Sequence, residues 1–377
     1  MFSTARSGAF EEPAAIRSLA EVRDEAVARA ERNAYPLIGL DPADVREALS
    51  SLTSMDRDAW AAAWSAVAAR YAAKGDHLQA WRLYSFARWP VPLSAGKERA
   101  YALAVEAYLA HSRAAGVPLE VVRVPFEGRE IVGYLQMPRD AKAAVPVIVA
   151  IGGLDSRKED LAERFAPLLD EGIGSFTFDM PGTGQAPIKI EPGAERMFSV
   201  AIDALVARSD VDAGRIALYG GSFGGYWACK LAVTERERLL GVVAQAPPVD
   251  QFFGAEFAAT AFTNTEYLFE LGVAMMSLYE GVRSVDDFLR ISPQHSLVAQ
   301  GFIGKPTTPM LIIAGAQDSQ VPMDDIELLL RTGDVPKEAW INPSGGHMGR
   351  DTRGWRDPVI FAKVTAPWFR RLLAEPR

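Results

Sequence analysis

The amino-terminal third of the chain carries large apolar residues at helical spacing. Between positions 54 and 76 these residues are Trp60, Trp64, Val67 and Tyr71. A spacing of three to four residues predicts an amphipathic helix, with Ser54 or Asp56 as its N-terminal cap. Further helices are predicted over about 76–89, ending before Pro90, and over about 97–115. The first ~115 residues are therefore expected to be helical.

The hydrophobic pattern changes at Leu119. Residues 120–125 and 129–137 alternate between apolar and polar side chains, with Glu127 and Gly128 as a turn, which predicts an antiparallel hairpin. Continuous apolar runs of strand length follow at Val145–Ile151, 174–178, 215–219, 240–244 and 310–314, and a last strand is expected at 339–342. Because helical segments separate these runs, they predict a mainly parallel sheet with helices on both faces.

These patterns divide the chain into a helical, cap-like N-terminal domain over residues 1–117 and an α/β domain over residues 118–377. Roughly 60 residues lie between Ala246 and Lys305, more than a simple crossover needs. Large apolar side chains are frequent there: Phe252, Phe253, Phe257, Phe262, Tyr267, Phe269, Met275, Met276 and Tyr279. We interpret the interval as a helical insertion at about 250–300 that covers the carboxyl edge of the sheet, where ligands bind in such folds. The alternative is that these side chains are ordinary core.

One glycine-rich segment has a catalytic pattern. Gly220, Ser222 and Gly224 form a G-x-S-x-G sequence directly after the strand at 215–219 and before a helical stretch. On such a sharp strand-to-helix turn the serine hydroxyl is exposed, and the helix N-terminus favours a developing oxyanion. The alternative reading is a plain glycine-rich turn. Ser222 is predicted to be the catalytic nucleophile.

A nucleophilic serine needs a base, and in this arrangement the partners follow in the order serine, acid, histidine. His347 lies in a glycine-rich loop after the last predicted strand and is the expected base. The alternative is His295, in the insertion. Asp318 directly follows the strand at 310–314 and is the expected acid, which would hold the imidazole in the correct tautomer.

Two other carboxylates compete with Asp318 for the role of the acid. Asp324 and Asp325 follow Val321 and Pro322, where they more naturally begin a helix.

The loop after the strand Val145–Ile151 is expected to complete an oxyanion hole. One N–H should come from Phe223, directly after the nucleophile, and the second from Leu154. Gly153 and Asp155 beside it are candidates for contacting the substrate or the residues around it. A carboxylate so close to an oxyanion would oppose its charge unless the carboxylate were paired. Arg157 and Lys158 are candidates for that pairing with Asp155.

Composition and charge narrow the range of functions. The formal net charge is −8 without a basic block, which argues against nucleic acid and against an anionic membrane surface. A single cysteine, Cys229, excludes an internal disulfide and fits a reducing compartment. Glu11 and Glu12 stand where a signal peptide would need an apolar run, so a cytoplasmic protein is expected. The four histidines show no metal-ligand spacing, and neither a metal nor another cofactor is expected.

Taken together, the motifs resemble one branch of the α/β-hydrolases. This branch contains the dihydroxypseudooxynicotine hydrolase of nicotine breakdown, fungal yellowish-green hydrolases that shorten polyketides, and FrsA-like esterases. The resemblance lies in residues 152–156 and 177–184, in the Ser222 elbow, in the loops of Asp318 and His347, and in Trp81, Tyr84, Ala87 and Pro90 of the helical region. It covers most of the chain, from about residue 30 onward.

The resemblance implies the α/β-hydrolase fold and a serine hydrolase with Ser222, His347 and Asp318 as its triad. Members of the branch cleave either esters or a carbon–carbon bond beside a ketone, and the family suggests a homodimer. A bulky, aromatic or polyketide-like ketone or ester is the expected substrate, cleaved through an acyl-enzyme. The alternatives are a plain carboxylesterase, an acyltransferase, and a non-catalytic binding protein that keeps the fold.

Overall fold

A computed structural model describes residues 11–374. Residues 1–10 and 375–377, at the outer ends of the two predicted domains, lie outside the described residues. The prediction that the chain carries no signal peptide also concerns residues 1–10. The N-terminal region is helical: α1 (Leu19–Glu31), α2 (Pro42–Ser50), α3 (Arg57–Ala73), α4 (His77–Ala87) and α5 (Ala95–Ala114). The first strand begins at Glu120. The division of the chain at residue 117 into two domains stays a prediction.

Side-chain caps define where these helices begin. Of the two candidate caps for α3, Asp56 is the one used, because its carboxylate accepts a hydrogen bond from the backbone N–H of Ala59 at 2.8 Å. The hydroxyl of Ser54 instead accepts from the N–H of Asp56 at 3.3 Å. Asp76 and Ser94 cap α4 and α5 in the same way. These contacts satisfy N–H groups that a helix start leaves without partners.

Aromatic side chains form the interior of the helical region. Trp60 and Trp64 are buried, with Trp60 packing edge-on against Phe86 at 5.5 Å between ring centroids. Trp60 also contacts Phe269 of the insertion at 4.8 Å, and Trp89 contacts the same ring at 4.9 Å. The helical region and the insertion therefore share one apolar core.

The remainder of the chain forms an eight-stranded sheet. Its strands are β1 (Glu120–Phe126), β2 (Arg129–Gln136), β3 (Val145–Ile151), β4 (Gly174–Phe178), β5 (Val211–Gly221), β6 (Leu239–Gln245), β7 (Met310–Gly315) and β8 (Lys337–Asn342). Their spatial order is β1-β2-β4-β3-β5-β6-β7-β8. β2 pairs antiparallel with β1 and β4, and all other pairs are parallel. The predicted hairpin and mainly parallel sheet are confirmed.

Helices cover both faces of the sheet, as predicted. Along the chain they are α6 (Lys158–Phe165), α7 (Arg196–Val206), α8 (Phe223–Thr234), α9 (Ala255–Ala259), α10 (Leu271–Leu278), α11 (Val285–Ile291), α12 (Met323–Arg331), α13 (Asp357–Ile360) and α14 (Ala366–Ala374). The apolar residues of α6, α13 and α14 pack in one core cluster, and those of α7, α8 and α12 pack in a second. Helices α9, α10 and α11 form the predicted insertion between β6 and β7.

None of the helices between residues 11 and 374 combines the length and the apolar character that crossing a membrane demands.

Candidate active site

The turn between β5 and α8 holds Ser222 in an unusual backbone conformation, with φ +55° and ψ −125°. The two flanking glycines are required by close packing. A Cβ on Gly224 would lie 2.5 Å from the carbonyl oxygen of Ile151 and 2.6 Å from that of Gly152. A Cβ on Gly220 would overlap the carbonyl oxygen of Gly224. The sequence therefore folds locally into a strained elbow that presents Ser222 at the carboxyl edge of the sheet.

Two loops from further along the chain bring a histidine and an aspartate to this serine. The Nε2 atom of His347 lies 2.8 Å from Ser222 Oγ, and its Nδ1 atom lies 2.9 Å from Asp318 Oδ2. Asp318 is itself held in place, because its Oδ1 accepts hydrogen bonds from the backbone N–H groups of Gln320 at 2.8 Å and Val321 at 3.0 Å. Ser222, His347 and Asp318 therefore form one hydrogen-bonded series, a geometry suited to acyl transfer by an activated serine.

The surroundings of His347 set its protonation. Burial alone would lower the pKa of this imidazole. The charge of Asp318 and its hydrogen bond oppose that effect, Glu266 adds to them, and Arg350 works against them. The net result is a pKa raised above the ordinary value of about 6.5. At a pH above this raised pKa the ring is neutral, and Nε2 can accept a proton from Ser222.

The alternative base and acids lie outside this hydrogen-bonded series. His295 packs against Tyr279, 5.0 Å between ring centroids, and burial lowers its pKa to about 4. Asp325 accepts hydrogen bonds from the backbone N–H groups of Val249 at 2.8 Å and Gln251 at 2.7 Å. Asp324 is in the first turn of α12. The two aspartates begin a helix, as their sequence position favours.

The loop after β3 lies directly on the elbow. A Cβ on Gly153 would lie 2.8 Å from Ser222 Cβ and 3.3 Å from the backbone nitrogen of Phe223. Phe223 is the first residue of α8, where a helix leaves the N–H without a partner inside the helix. The N–H of Gly153 is already used, since it donates to Ser156 Oγ at 2.9 Å. Leu154 is the next residue and lines the same cavity as Ser222. The oxyanion roles of Leu154 and Phe223 stay predictions.

Of the two candidate partners for Asp155, neither Arg157 nor Lys158 forms an ion pair with it within the described residues. Asp155 Oδ2 instead accepts hydrogen bonds from the Tyr267 hydroxyl at 2.7 Å and from Trp89 Nε1 at 3.1 Å. The Arg157 guanidinium turns back onto the carbonyl oxygens of its own loop. Neutral aromatic donors from the helical region and from the insertion therefore converge on this carboxylate.

Lys158 belongs to a separate cluster of charged and polar side chains. Its ammonium is fully buried and lies 3.0 Å from Asp179, 2.9 Å from Glu159 and 3.1 Å from the Tyr101 hydroxyl. Burial opposes the charged form, but Asp179 and Glu159 hold the pKa of Lys158 well above its ordinary range. The cluster joins the start of α6 to the end of β4 and to α5. It thereby fixes the carboxyl side of the loop at 152–156.

Two contacts to the His347 loop were not identified from the sequence. Glu266 of the insertion accepts from the His347 backbone N–H at 3.1 Å and from the Ser319 hydroxyl at 2.6 Å. Arg350 donates from Nε to the His347 carbonyl at 3.0 Å and lies 4.5 Å over the Tyr35 ring. Glu266 precedes His347 by 81 residues and belongs to no motif. The one sequence signal for Glu266 was that it is an acidic residue within an insertion rich in aromatic residues.

A cavity of about 600 Å³ opens over Ser222 and His347. Its apolar wall is formed by Leu154, Phe223, Phe252, Phe257, Leu271, Met275 and Phe288. The N-terminal helical region contributes Tyr35 and Trp89 to the lining. The described residues contain no group of three or more histidine, cysteine, aspartate or glutamate side chains that could hold a metal ion. The cavity suits a largely apolar ligand placed against the serine.

Comparison with protein families assigns the chain to a group of esterases. The model of the Esterase FrsA-like family matches residues 57–339, well over half of the chain. The esterase FrsA of Enterobacter sp. (strain 638) is 30% identical over 267 residues, which are 68% of this chain and 62% of that protein. The hydrolyase poxO of Penicillium oxalicum is 28% identical over 237 residues, 54% of this chain and 56% of that protein. The chain therefore spans less than two thirds of the length of these curated relatives.

Solved structures resemble most of the chain in fold. AbyA5 superposes with a TM-score of 0.70 at 20% identity, covering 84% of this chain and 91% of that one. The 2,6-dihydroxy-pseudo-oxynicotine hydrolase superposes with a TM-score of 0.63 at 20% identity, covering 92% and 95% of the two chains. At this identity the likeness establishes a shared α/β-hydrolase fold.

Proposed function

Since the chain belongs to the FrsA-like esterase family, we propose that it is a serine hydrolase that cleaves a bulky, aromatic or polyketide-like ester or ketone. The observation that carries this proposal is the continuous hydrogen-bonded series from Ser222 through His347 to Asp318. A serine hydroxyl becomes a nucleophile only beside such a base, and the third group keeps the base correctly oriented. A binding protein that merely kept the fold would have no use for this alignment.

In the first half of the reaction, Ser222 Oγ attacks the carbonyl carbon of the substrate and His347 Nε2 takes the hydroxyl proton. The carbonyl electron pair moves onto oxygen, and the backbone N–H groups of Leu154 and Phe223 bind that oxyanion. Collapse of this intermediate expels an alkoxide from an ester, or a stabilised carbanion from a ketone, and His347 protonates the leaving group. The acyl group remains on Ser222 until water releases it.

The cavity supports a large apolar acyl or leaving group. Aromatic side chains from the helical region and from the insertion surround Ser222, and apolar walls of this kind bind flat, apolar ligands by burial and stacking. The name of one relative points to ester hydrolysis as well, because that protein is an esterase. Carbon–carbon cleavage has a further requirement, because its leaving carbanion must be delocalised, for instance into an aryl or β-keto system.

The proposal is tested with a matched pair of substrates, an aryl 1,3-diketone and the corresponding aryl ester. We expect kcat/KM on bulky aryl substrates to exceed that on short aliphatic acetate esters. Hydrolysis of the ester alone would assign ester cleavage and exclude the carbon–carbon reaction. Faster cleavage of acetate esters than of every aryl substrate would refute the bulky substrate class. The Ser222→Ala variant is the control for reaction outside this site, and it should retain only residual activity.

A further inference from the structure

Two buried arginines lie behind the loop that follows β3. Arg157, at the start of α6, is 2% exposed, and Arg88, at the end of α4 in the helical region, is 3% exposed. The described residues that line the cavity over Ser222 include every residue from 152 to 156 but neither arginine. The loop therefore separates the two guanidinium groups from the cavity.

The two arginines bind three consecutive carbonyl oxygens of this loop. Arg157 Nη1 donates to the carbonyl oxygen of Leu154 at 3.0 Å and to that of Ser156 at 2.8 Å. Arg88 Nη1 donates to the carbonyl oxygen of Asp155, the residue between them, at 2.6 Å. The carbonyl edge of this segment is thus directed toward the guanidinium groups and away from the cavity.

Peptide geometry then determines where the N–H groups of the same segment point. In a planar trans peptide unit, a carbonyl group and the N–H of the following residue point in opposite directions. The N–H groups of Asp155 and Ser156 belong to units whose oxygens the arginines bind, so they point toward the cavity, next to the predicted donor Leu154. Successive N–H groups on one edge form a site that favours an anion. Ser222 lies beside this edge, since a Cβ on Gly153 would be 2.8 Å from its Cβ.

We propose that Arg88 and Arg157 are positioning residues for the oxyanion hole. By binding the carbonyl oxygens behind the loop, they keep its N–H edge turned toward the substrate oxygen that becomes negative when Ser222 attacks. Their charges also offset the neighbouring carboxylate of Asp155, which alone would disfavour an oxyanion. The inference rests on the proposed function and goes beyond it by assigning the side chains that orient the oxyanion donors.

The unpaired donors of these arginines argue against a role in stability alone. Nε and Nη2 of Arg157 and Nε of Arg88 are buried without a hydrogen-bond partner among the described residues. The nearest acidic partner of Arg88 is distant, with Nη2 at 3.8 Å from Asp160 Oδ2. A buried guanidinium with unpaired donors contributes little to the free energy of unfolding, and apolar side chains often replace buried ions at small cost. Orientation of the loop accounts for both arginines.

The test compares two inhibitors of the same shape, of which only one forms an oxyanion. With an aryl trifluoromethyl ketone, Ser222 Oγ bonds to the carbonyl carbon, the hydroxyl proton passes to His347 and the carbonyl electron pair moves onto oxygen. The corresponding aryl methyl ketone binds without this addition. The ratio of the two inhibition constants, measured on the full chain, therefore reports stabilisation of the oxyanion separately from binding of the aryl group.

We expect Arg157→Met and Arg88→Met each to reduce the preference for the trifluoromethyl ketone about tenfold. The kcat on an aryl ester should fall by a similar factor, while KM stays within about twofold of the parent value. Arg215→Met is the matched control. This arginine is 27% exposed on β5 and also donates to a backbone carbonyl, that of Leu373 at 3.3 Å. The control should keep the parent preference within about twofold.

Thermal unfolding shows which variants are folded. Folded Arg157→Met and Arg88→Met variants with the parent preference would overturn the proposal, and if only one of them folds, that variant decides. Loss of folding in both would assign the arginines to stability and would overturn it as well. A parent protein that binds the two ketones equally would instead refute the attack by Ser222, so failure of the proposed function is distinguishable.

Discussion

The two carboxylate oxygens of Asp318 have different partners. Oδ2 is hydrogen-bonded to Nδ1 of His347, and Oδ1 accepts hydrogen bonds from the backbone N–H groups of Gln320 and Val321. An amide in its place would keep the shape but would favour the wrong imidazole tautomer. We predict that Asp318→Asn folds and binds substrate but has a kcat lower by about 10³–10⁴-fold. Steady-state kinetics checks this, with Asp324→Asn as control. A crippled Asp324→Asn beside an active Asp318→Asn would show that the acid is misassigned.

The pKa of His347 predicts a pH dependence. Only the neutral imidazole accepts a proton, so kcat/KM should fall as the pH drops through the raised pKa of His347. The midpoint of this acid limb should lie above the ordinary imidazole pKa of about 6.5. Because Glu266 contributes to raising this pKa, Glu266→Gln should move the limb to lower pH. Glu130→Gln on the exposed hairpin is the control. A limb that moves to higher pH in Glu266→Gln would contradict this account of the site.

Single residues of the site differed in how far the sequence identified them. Ser222, His347 and Asp318 were predicted as the triad because each stands at a fixed place relative to a strand, and the structure brings the three side chains together; their catalytic roles stay predictions. The partners of Asp155 could not be found in this way. Tyr267 is 112 residues away in the insertion, and Trp89 is 66 residues away, so their contacts depend on packing between distant segments.

At the scale of the element, the loop after β3 packs directly against the β5–α8 elbow. Gly153 is one point of close approach between them, and its missing side chain lets the loop approach Ser222 and Phe223. The atoms that a Cβ would meet belong to the elbow itself and have little freedom to move. We predict that Gly153→Ala displaces the loop and lowers kcat by about 10²–10³-fold, the usual cost of an oxyanion donor.

The measurement for Gly153→Ala is kcat together with the thermal unfolding temperature. Gly172→Ala is a matched control, because a Cβ there meets nothing within 4 Å, although its positive φ carries a small strain of its own. The control should keep the parent kcat. A Gly153→Ala variant with the parent kcat would show that the loop does not contribute to the oxyanion hole.

Whole elements were more predictable than their edges. The hairpin, the parallel strands and the helical stretches followed from hydrophobic period, since burial on one or both faces dictates that period. The ends were less certain: β5 runs from Val211 to Gly221, whereas the apolar run indicated only 215–219. The added residues at its start pair in part with β3, and such pairing depends on a neighbouring strand rather than on local pattern.

At the scale of the whole molecule, the helical region and the insertion enclose the cavity together. Trp60 and Trp89 pack on Phe269, and Trp89 stacks on Tyr267 at 4.9 Å. We predict that deletion of residues 1–115 exposes this apolar surface and gives aggregated or inactive protein. Size-exclusion chromatography and kcat/KM on a bulky aryl ester check the outcome. A monodisperse truncation with unchanged kcat/KM would make the helical region an independent module.

The central claim is that this molecule forms an acyl-enzyme on Ser222. The most direct measurement is intact-protein and peptide mass spectrometry after rapid acid quench of a reaction with a p-nitrophenyl aryl ester. The account predicts a mass increase equal to one acyl group, located on the peptide that contains Ser222, formed with the nitrophenol burst and absent from Ser222→Ala. Turnover without any adduct, or an adduct that persists in Ser222→Ala, would contradict it.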